Sequence, residues 1–502
     1  MLIAALYACI FWMTFNFTSA LMGGVYIASD LGASTDIASY GVSFFGLGNV
    51  CTFPLSRILE HRFGKIKSLL IFLSIFIITT FCITSSPTFP IFVILRFISG
   101  AASGVFFPLA LGLINSLQKK GSEKNVFSFL AFFVSIIPVM GACFGGWIAY
   151  DYHWQWIFLL QTPFTLLTFW ILYRSRNQLK EPSVPFSFDK TGYIFYLLTI
   201  CSLSTAIFLG QELDWLRSPL ICLLLIIGIL SLIFFIPWEL KQENPLIDLK
   251  MFRNPTFSLS VFSVVLLFSA YFGMVIMLTL WLHLEANYTP IWIALLLLHM
   301  IFASILLFIF MTRYLEKTHP FLPIILAITF FAISCFYSSS FNADVNFARL
   351  SIARVLAGFG LAFFLFPLFK VCLDAISPHE KQMGGIIFQS SRLLAGSLGI
   401  SLYNTLLLRR TIFYHERLGS SLTNYSRTTD QFFTNLSLFH EKGLASKELL
   451  ETALSKQSTT LALADCFYFM GWLLIGLLFT TLVFLLIKRY LPHPLAKVED
   501  LP

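Results

Sequence analysis

Apolar runs long enough to span a membrane follow one another along the whole chain, separated by short polar or turn-forming stretches. A helix that crosses a bilayer needs about 20 mostly apolar residues. By that measure the pattern predicts fourteen helices, near residues 5–27, 38–58, 68–86, 90–117, 125–149, 157–173, 191–210, 219–238, 256–284, 291–311, 320–340, 347–372, 384–408 and 461–487. Proline marks many of the breaks, as at Ser86-Pro87, Ser218-Pro219, Asn254-Pro255, Thr289-Pro290 and His319-Pro320, because it disfavours helix in the residue before it. Residues 409–460 are the one sizeable polar segment, and Leu449, Leu450 and Leu454 space a short amphipathic helix within it. This segment reads either as a helical cap over one face or as a docking or gating element.

Charge gives the pattern a direction. With the N-terminus in the cytoplasm, Arg57, Arg62, Lys65, Lys67, Lys119, Lys120, Lys124, Arg174, Arg176, Lys180, Lys190, Lys241, Lys250, Arg253, Arg313, Lys317, Lys381, Lys488 and Arg489 fall on the inner side; the short outer loops hold almost none, Arg217 being the main exception, and the seven basic residues of 409–460 lie among acids in a long segment. That positive-inside bias places both termini in the cytoplasm of an inner (plasma) membrane protein and segment 409–460 in the periplasm. The first apolar run, LIAALYACIFWMTF, has no basic flank and no small-residue cleavage site, so it reads as a membrane helix and not a signal peptide.

Composition agrees. The chain is 57% hydrophobic and 12% charged, where a soluble domain would be about a quarter charged. The net charge of +8 is parcelled into short loops and does not read as a nucleic-acid surface. The nine cysteines sit in or beside apolar runs, outside any metal-ligand spacing, so no disulfide framework, metal or cofactor is expected. Without a phosphate-binding loop or an HExxH motif, neither ATP hydrolysis nor metal catalysis has a basis, and the chain is expected not to be an enzyme.

The candidate chemistry is a handful of polar residues inside apolar helices. Arg96 precedes Gly100 by four residues, as Arg354 precedes Gly358, and a Phe-Pro pair follows in each helix, Phe107-Pro108 and Phe366-Pro367. An arginine in hydrocarbon costs about 2.5–3.5 kcal/mol on insertion scales, so it faces a bundle interior or a wet cavity, or snorkels to the interface. Two matching helices of this kind suggest an internally duplicated transporter with a polar pathway. Arg392, with Gln389 nearby, reads either as pathway or as an interhelix hydrogen bond. Pro138, Gly141, Gly145 and Gly146 permit close packing and a bend in the fifth helix. Asp465 is the best intramembrane acid, and His299 is either a packing residue or a proton carrier. Asp374 and Glu239 lie at helix ends and read as interface residues.

Together these motifs resemble the major facilitator superfamily, and within it the fourteen-helix EmrB/QacA group of multidrug exporters, its EmrB-like members above all. The stretches that carry the resemblance are PLSRILEHRFGKIK, LRFISGAASGVFFPLALGLI, PVMGACFGGWIAYDYHWQWIFLLQTP, GQELDW, WELKQENPLIDLKMF and SRLLAGSLGIS. It implies an all-α fold of two six-helix bundles, 1–173 and 256–487, with two inserted helices and their linkers in 174–255 and a cytoplasmic tail at 488–502. In the helix 2–3 loop motif Arg62, Gly64 and Lys65 match, while Arg57 and His61 replace its first glycine and its acid. The antiporter motif has Gly141-Ala142 in place of Gly-Pro. Asn16 stands where the group usually has aspartate. The resemblance implies proton-driven efflux of small molecules, with a periplasmic adaptor and an outer-membrane channel as partners. Since Asn16 carries no titratable proton, coupling is expected at Asp465, with His299 second. The alternatives are a specific transporter of a siderophore or metabolite with the same fold, and a polytopic membrane enzyme.

Overall fold

In lipid every backbone N–H and C=O must be satisfied within the protein, so a chain of this composition has helices as its means of spanning. The computed structural model describes residues 1–117, 123–176, 188–314, 319–377, 380–422, 427–438 and 444–490. Among these residues the regular structure is helical, with no strand. The first half comprises α1 (Leu2–Asp30), α2 (Tyr40–Thr52), α3 (Leu55–Phe63), α4 (Lys65–Ile83), α5 (Phe89–Ser103), α6 (Phe106–Leu117), α7 (Glu123–Asp151), α8 (Trp156–Leu159) and α9 (Thr162–Ser175). Two helices follow, α10 (Lys190–Leu209) and α11 (Pro219–Lys241). The second half comprises α12 (Pro255–Leu284), α13 (Pro290–Tyr314), α14 (Leu322–Ser338), α15 (Phe347–Ala362), α16 (Leu365–Asp374), α17 (Lys381–Gly419), α18 (Arg427–Leu438) and α19 (Leu444–Tyr490).

Ten helical stretches among the described residues are long and apolar enough to cross a membrane, or eleven if the bent pair Thr35–Thr52 and Leu55–Phe63 is one span. The helices α7, α14 and α17 coincide with the other three expected spans. Of these, α14 has 17 residues, and α17 mixes polar residues into its 39.

The two halves repeat one packing scheme. In the first, α1 packs on α7 and α9, α2 on α5, and α4 on α5 and α9; in the second, α12 packs on α17 and α19, α13 on α15, and α14 on α15 and α19. The halves meet along two seams, α2 against α17 and α7 against α13. Hydrogen bonds line the first seam along its length: Ser43 Oγ to the Ser397 carbonyl at 3.5 Å, Asn404 Nδ2 to the Asp36 carbonyl at 3.1 Å, and Gln382 Nε2 to Glu60 Oε2 at 3.2 Å. The inserted α10 covers this seam from outside, touching both α2 and α17. Tyr193 and Tyr196 donate to the Cys51 and Val50 carbonyls at 3.1 and 3.0 Å. By contrast α11 leans on α10 and is mostly exposed, as suits a strongly apolar helix facing lipid.

The Phe-Pro pairs explain two breaks. Proline lacks an N–H and its ring clashes with the carbonyl four residues back. Counting back from Pro108 gives Gly104, where α5 gives way to α6, and from Pro367 gives Phe363, where α15 gives way to α16.

Two expectations from sequence change. The basic stretch 56–67 is not a loop. It is helix on both sides of Gly64, whose φ of +84° only glycine adopts without strain, and the chain bends by 53° just before it, between α2 and α3. Segment 409–460 is built largely by extending membrane helices: α17 runs on to Gly419 and α19 begins at Leu444, with α18 between them. The short helix expected around Leu449 is thus the first turns of α19. From residue 491 on, the expected tail lies outside the described residues.

The α1–α7 contact depends on absent side chains. Gly141 lies against Thr18 and the Phe15 carbonyl, Gly145 against the Ser19 carbonyl, and Gly146 against Met22. A Cβ on Gly145 would collide with backbone, which cannot rotate away. Overpacking of this kind costs ~1–3 kcal/mol. Gly145→Val is therefore expected to lower the melting temperature of the detergent-solubilised protein by several degrees, whereas Gly476→Val, at a glycine with nothing within 4 Å, leaves it unchanged. Equal melting curves for the two variants would contradict this packing.

Candidate substrate pathway

Arg96 begins seven residues into α5 and is fully buried. Gly100, one turn on, lies against the Phe45 backbone, so α5 and α2 approach closely enough for the guanidinium to reach past α2 to α1. Nε donates to the Gly41 carbonyl of α2 at 3.0 Å, and on α1 Nη2 donates to the Asn16 and Phe17 carbonyls at 3.0 and 3.2 Å and Nη1 to Asn16 Oδ1. Asn16 Nδ2 donates to Gln161 Oε1 at 3.0 Å, and Gln161 Nε2 to the Ile157 carbonyl at 2.7 Å. The guanidinium carbon lies 4.5 Å from the Phe45 ring centroid and 5.5 Å from that of Phe158. Neutral acceptors and ring faces thus stand in for a counter-charge.

A second buried guanidinium faces this one across the halves. Arg392 on α17 donates through Nε to Gln389 Oε1 at 2.9 Å and lies 4.7 Å over the Phe268 ring of α12. Four rings connect the two arginines. Phe45 is 5.9 Å from Phe17, Phe17 is 5.4 Å from Phe272, and Phe272 is 5.0 Å from Phe268. The two cations therefore sit at opposite ends of one aromatic tract running between the bundles.

The remaining predicted residues are dispersed. Arg354 is fully buried within the second half, where Nη2 donates to Ser338 Oγ of α14 at 3.2 Å and the guanidinium lies 6.0 Å from the Phe467 ring of α19; it does not join Arg392. Asp465 is half-buried on α19, where Oδ2 accepts from Arg410 Nε at 2.8 Å, Arg410 Nη2 and Tyr414 Oη at 2.8 Å, both partners lying on the extension of α17. His299 is exposed on α13, with Nδ1 2.8 Å from the Leu295 carbonyl of its own helix. Pro138 is buried within α7, and its glycines Gly141, Gly145 and Gly146 face α1. In the basic motif Arg62 stacks on Phe63, Gly64 is the hinge, and Lys65 pairs with Glu60 at 3.1 Å while lying over Gly112 of α6.

Sequence reasoning passed over Gln161 and Phe268. Gln161 was visible as a lone polar residue after the apolar run WIFLL, while one phenylalanine among 57 carries no signal. Glu239, read as an interface residue, is instead buried at the end of α11, with Oε2 accepting from the Ile247 N–H at 3.4 Å.

Two repeated bundles sharing two seams, with buried polar groups at the centre, define a polytopic transporter. The model of the Major Facilitator Superfamily matches residues 3–400, and the chain belongs to that superfamily. It is 25% identical over 479 residues to the multidrug export protein EmrB of Haemophilus influenzae, covering 95% of this chain and 94% of that one. It is 26% identical over 441 residues to the fatty acid resistance protein FarB of Neisseria gonorrhoeae, covering 88% and 86%. Its fold matches a bacterial homologue of the human lysosomal transporter Spinster, solved inward-facing and unoccupied, with a TM-score of 0.63, 11% identity and 98% of each chain covered.

Removing Asn16 would strip Arg96 Nη1 and Gln161 Oε1 of partners, and each unpaired buried group costs about 1–3 kcal/mol. Asn16→Leu is expected to lower thermal stability clearly. Asn16→Asp keeps an acceptor for Arg96, and the Gln161 amide can turn to donate, so that variant should unfold no earlier than the parent. A melting curve unchanged in Asn16→Leu would refute the network.

Proposed function

We propose that the protein is an efflux transporter of small amphipathic molecules, driven by the proton gradient across the inner membrane. The reading rests chiefly on the Asn16–Arg96–Gln161 network buried in a duplicated bundle, a costly arrangement in lipid that a purely structural membrane protein does not need. The names of its relatives favour export as the direction. On this reading all fourteen helical stretches cross the membrane, both termini are cytoplasmic, and 1–173 and 256–487 act as the two moving bundles, with 174–255 as an insert. Arg96, Arg354, Gln389 and Arg392 then line or support the pathway.

Coupling is assigned to Asp465. Its carboxylate ties α19 to Arg410 and Tyr414 on α17, and it is partly open to the face expected to be periplasmic. A proton arriving there would neutralise it and release Arg410, freeing one end of the helix that carries Arg392 about 27 Å away at 1.5 Å per residue. His299 is the second candidate. Asp465→Asn should keep substrate binding and abolish gradient-driven flux in proteoliposomes. Wild-type flux indifferent to an imposed pH gradient would refute proton coupling, and wild-type behaviour of Asp465→Asn would refute this carrier.

The extended ends of α17 and α19, with α18, supply the surface on which a periplasmic adaptor, itself leading to an outer-membrane channel, would dock. Deleting 427–438 should reduce resistance of whole cells while sparing flux in proteoliposomes. Loss of both would instead make the segment part of the transport machinery.

A further inference from the structure

The stretch WELKQENPLIDLKMF carries the end of α11 and the linker to α12. Its Glu239 is 1% exposed and is the one buried acid among the described residues. Oε2 accepts from the Ile247 N–H, while Oε1 is sealed from solvent and has no hydrogen-bond partner.

A second carboxylate lies beside it. Asp189 caps α10, its Oδ1 accepting from the Gly192 N–H at 3.0 Å and its Oδ2 from Trp238 Nε1 at 2.8 Å. Gly192 leaves the space between the two acids open. A Cβ there would lie 2.3 Å from Asp189 Oδ2 and 2.7 Å from Glu239 Oε1, so the two oxygens are at most about 5 Å apart.

No positive charge answers them. The charges within electrostatic reach of Glu239 are Asp189 and Asp248, both negative. The same elements and linker also carry Lys190, Lys241, Glu243, Lys250 and Arg253, while Glu212, Asp214 and Arg217 lie at the far end of α11. No ion pair among the described residues reaches Glu239 or Asp189. Two carboxylates this close and this buried do not both stay ionised without a counter-charge. The groups around them are N–H donors, from Gly192, Trp238 and Ile247, which offer no lone pair to a metal. Among the described residues no third acid, histidine or cysteine completes a metal site. What is missing between Oε1 and Oδ2 is a hydrogen.

We propose that Glu239 and Asp189 form a proton-binding site at the end of the insert, in which Glu239 Oε1 carries the proton and donates it to Asp189 Oδ2.

The site joins the first turn of α10 to the last turn of α11. Tyr193, in that first turn, donates to the Cys51 carbonyl of α2. Loss of the proton would set two negative charges against each other at the joint that seats the insert on the first bundle. The site lies on the face expected to be cytoplasmic, opposite Asp465, and is independent of the solute carried.

The test is infrared spectroscopy of the full-length protein in nanodiscs, with melting curves over a pH series. At neutral pH the wild type should show a carboxylic-acid C=O band that is absent from Glu239→Gln and shifted in Asp189→Asn. Raising the pH should remove the band and lower the melting temperature, because a proton held by the folded state stabilises it only while bound. Glu239→Gln keeps a donor for Asp189 with no proton to lose, so its melting temperature should fall roughly twofold less over the same pH range. A wild-type spectrum at neutral pH without a band that depends on Glu239 overturns the proposal. So does a metal cation in the proton's place, seen as a rise in melting temperature when sodium, potassium or magnesium chloride replaces choline chloride, and lost in Glu239→Gln. Flux that ignores an imposed pH gradient would refute the coupling assigned to Asp465 and leave this site standing.

Discussion

A guanidinium taken out of water and into the middle of a membrane protein loses several kcal/mol of hydration that something must replace. Much of the first bundle is arranged around that requirement at Arg96. Its acceptors are carbonyls of α1 and α2 that already belong to helical ladders, supplemented by one asparagine side chain. These become reachable only because the helices approach to backbone contact, through Gly100 against α2 and the glycine face of α7 against α1. The small residues, the tight helix pairs and the buried arginine are therefore one arrangement. Without the glycines the cation would have no acceptors, and without the cation the close approach would have less to hold it.

The second bundle repeats the scaffold and not the solution. Gly358 presses on the Met300 carbonyl of α13 as Gly100 presses on α2, yet Arg354 turns toward Ser338 and Phe467. The polar residue nearest the shared centre comes from α17 instead. Duplication has kept the packing geometry, which is set by small residues and helix length. The placement of charge has diverged: the first half holds its cation with every guanidinium nitrogen bonded, while Arg354 and Arg392 of the second each keep two nitrogens without a partner.

How much of this was readable from the chain alone follows the same division. Hydrophobic run length located the long apolar helical stretches, because lipid admits few alternatives, and the lone arginines stood out against apolar surroundings. What stayed hidden depends on which way side chains turn. Asn16 and Arg96 are eighty residues apart, and nothing in either stretch says that they meet, nor that Gln161 completes the network. The pairing of Asp465 with Arg410 was out of reach because Arg410 lies in the segment that looked like a polar loop, while the helix in fact runs on past the apolar run that revealed it. The helical character of 56–63 was masked by its charge, which reads as loop wherever membrane spans dominate the pattern.

The inserted pair α10 and α11 breaks the twofold likeness of the molecule in a way that bears on how it sits among lipids. Of the two seams where the bundles meet, one is caulked from outside by α10 and screened again by α11. The other, between α7 and α13, has its apolar chamber edged by the exposed side chains of Met140, Trp147, Ile291 and Leu295. The protein is thus one-sided within the plane of the bilayer. One flank presents the inserted helices to lipid, and the other an apolar cavity. A neighbouring protein or a bulky rigid lipid packed on the α7–α13 flank would therefore cover apolar surface alone.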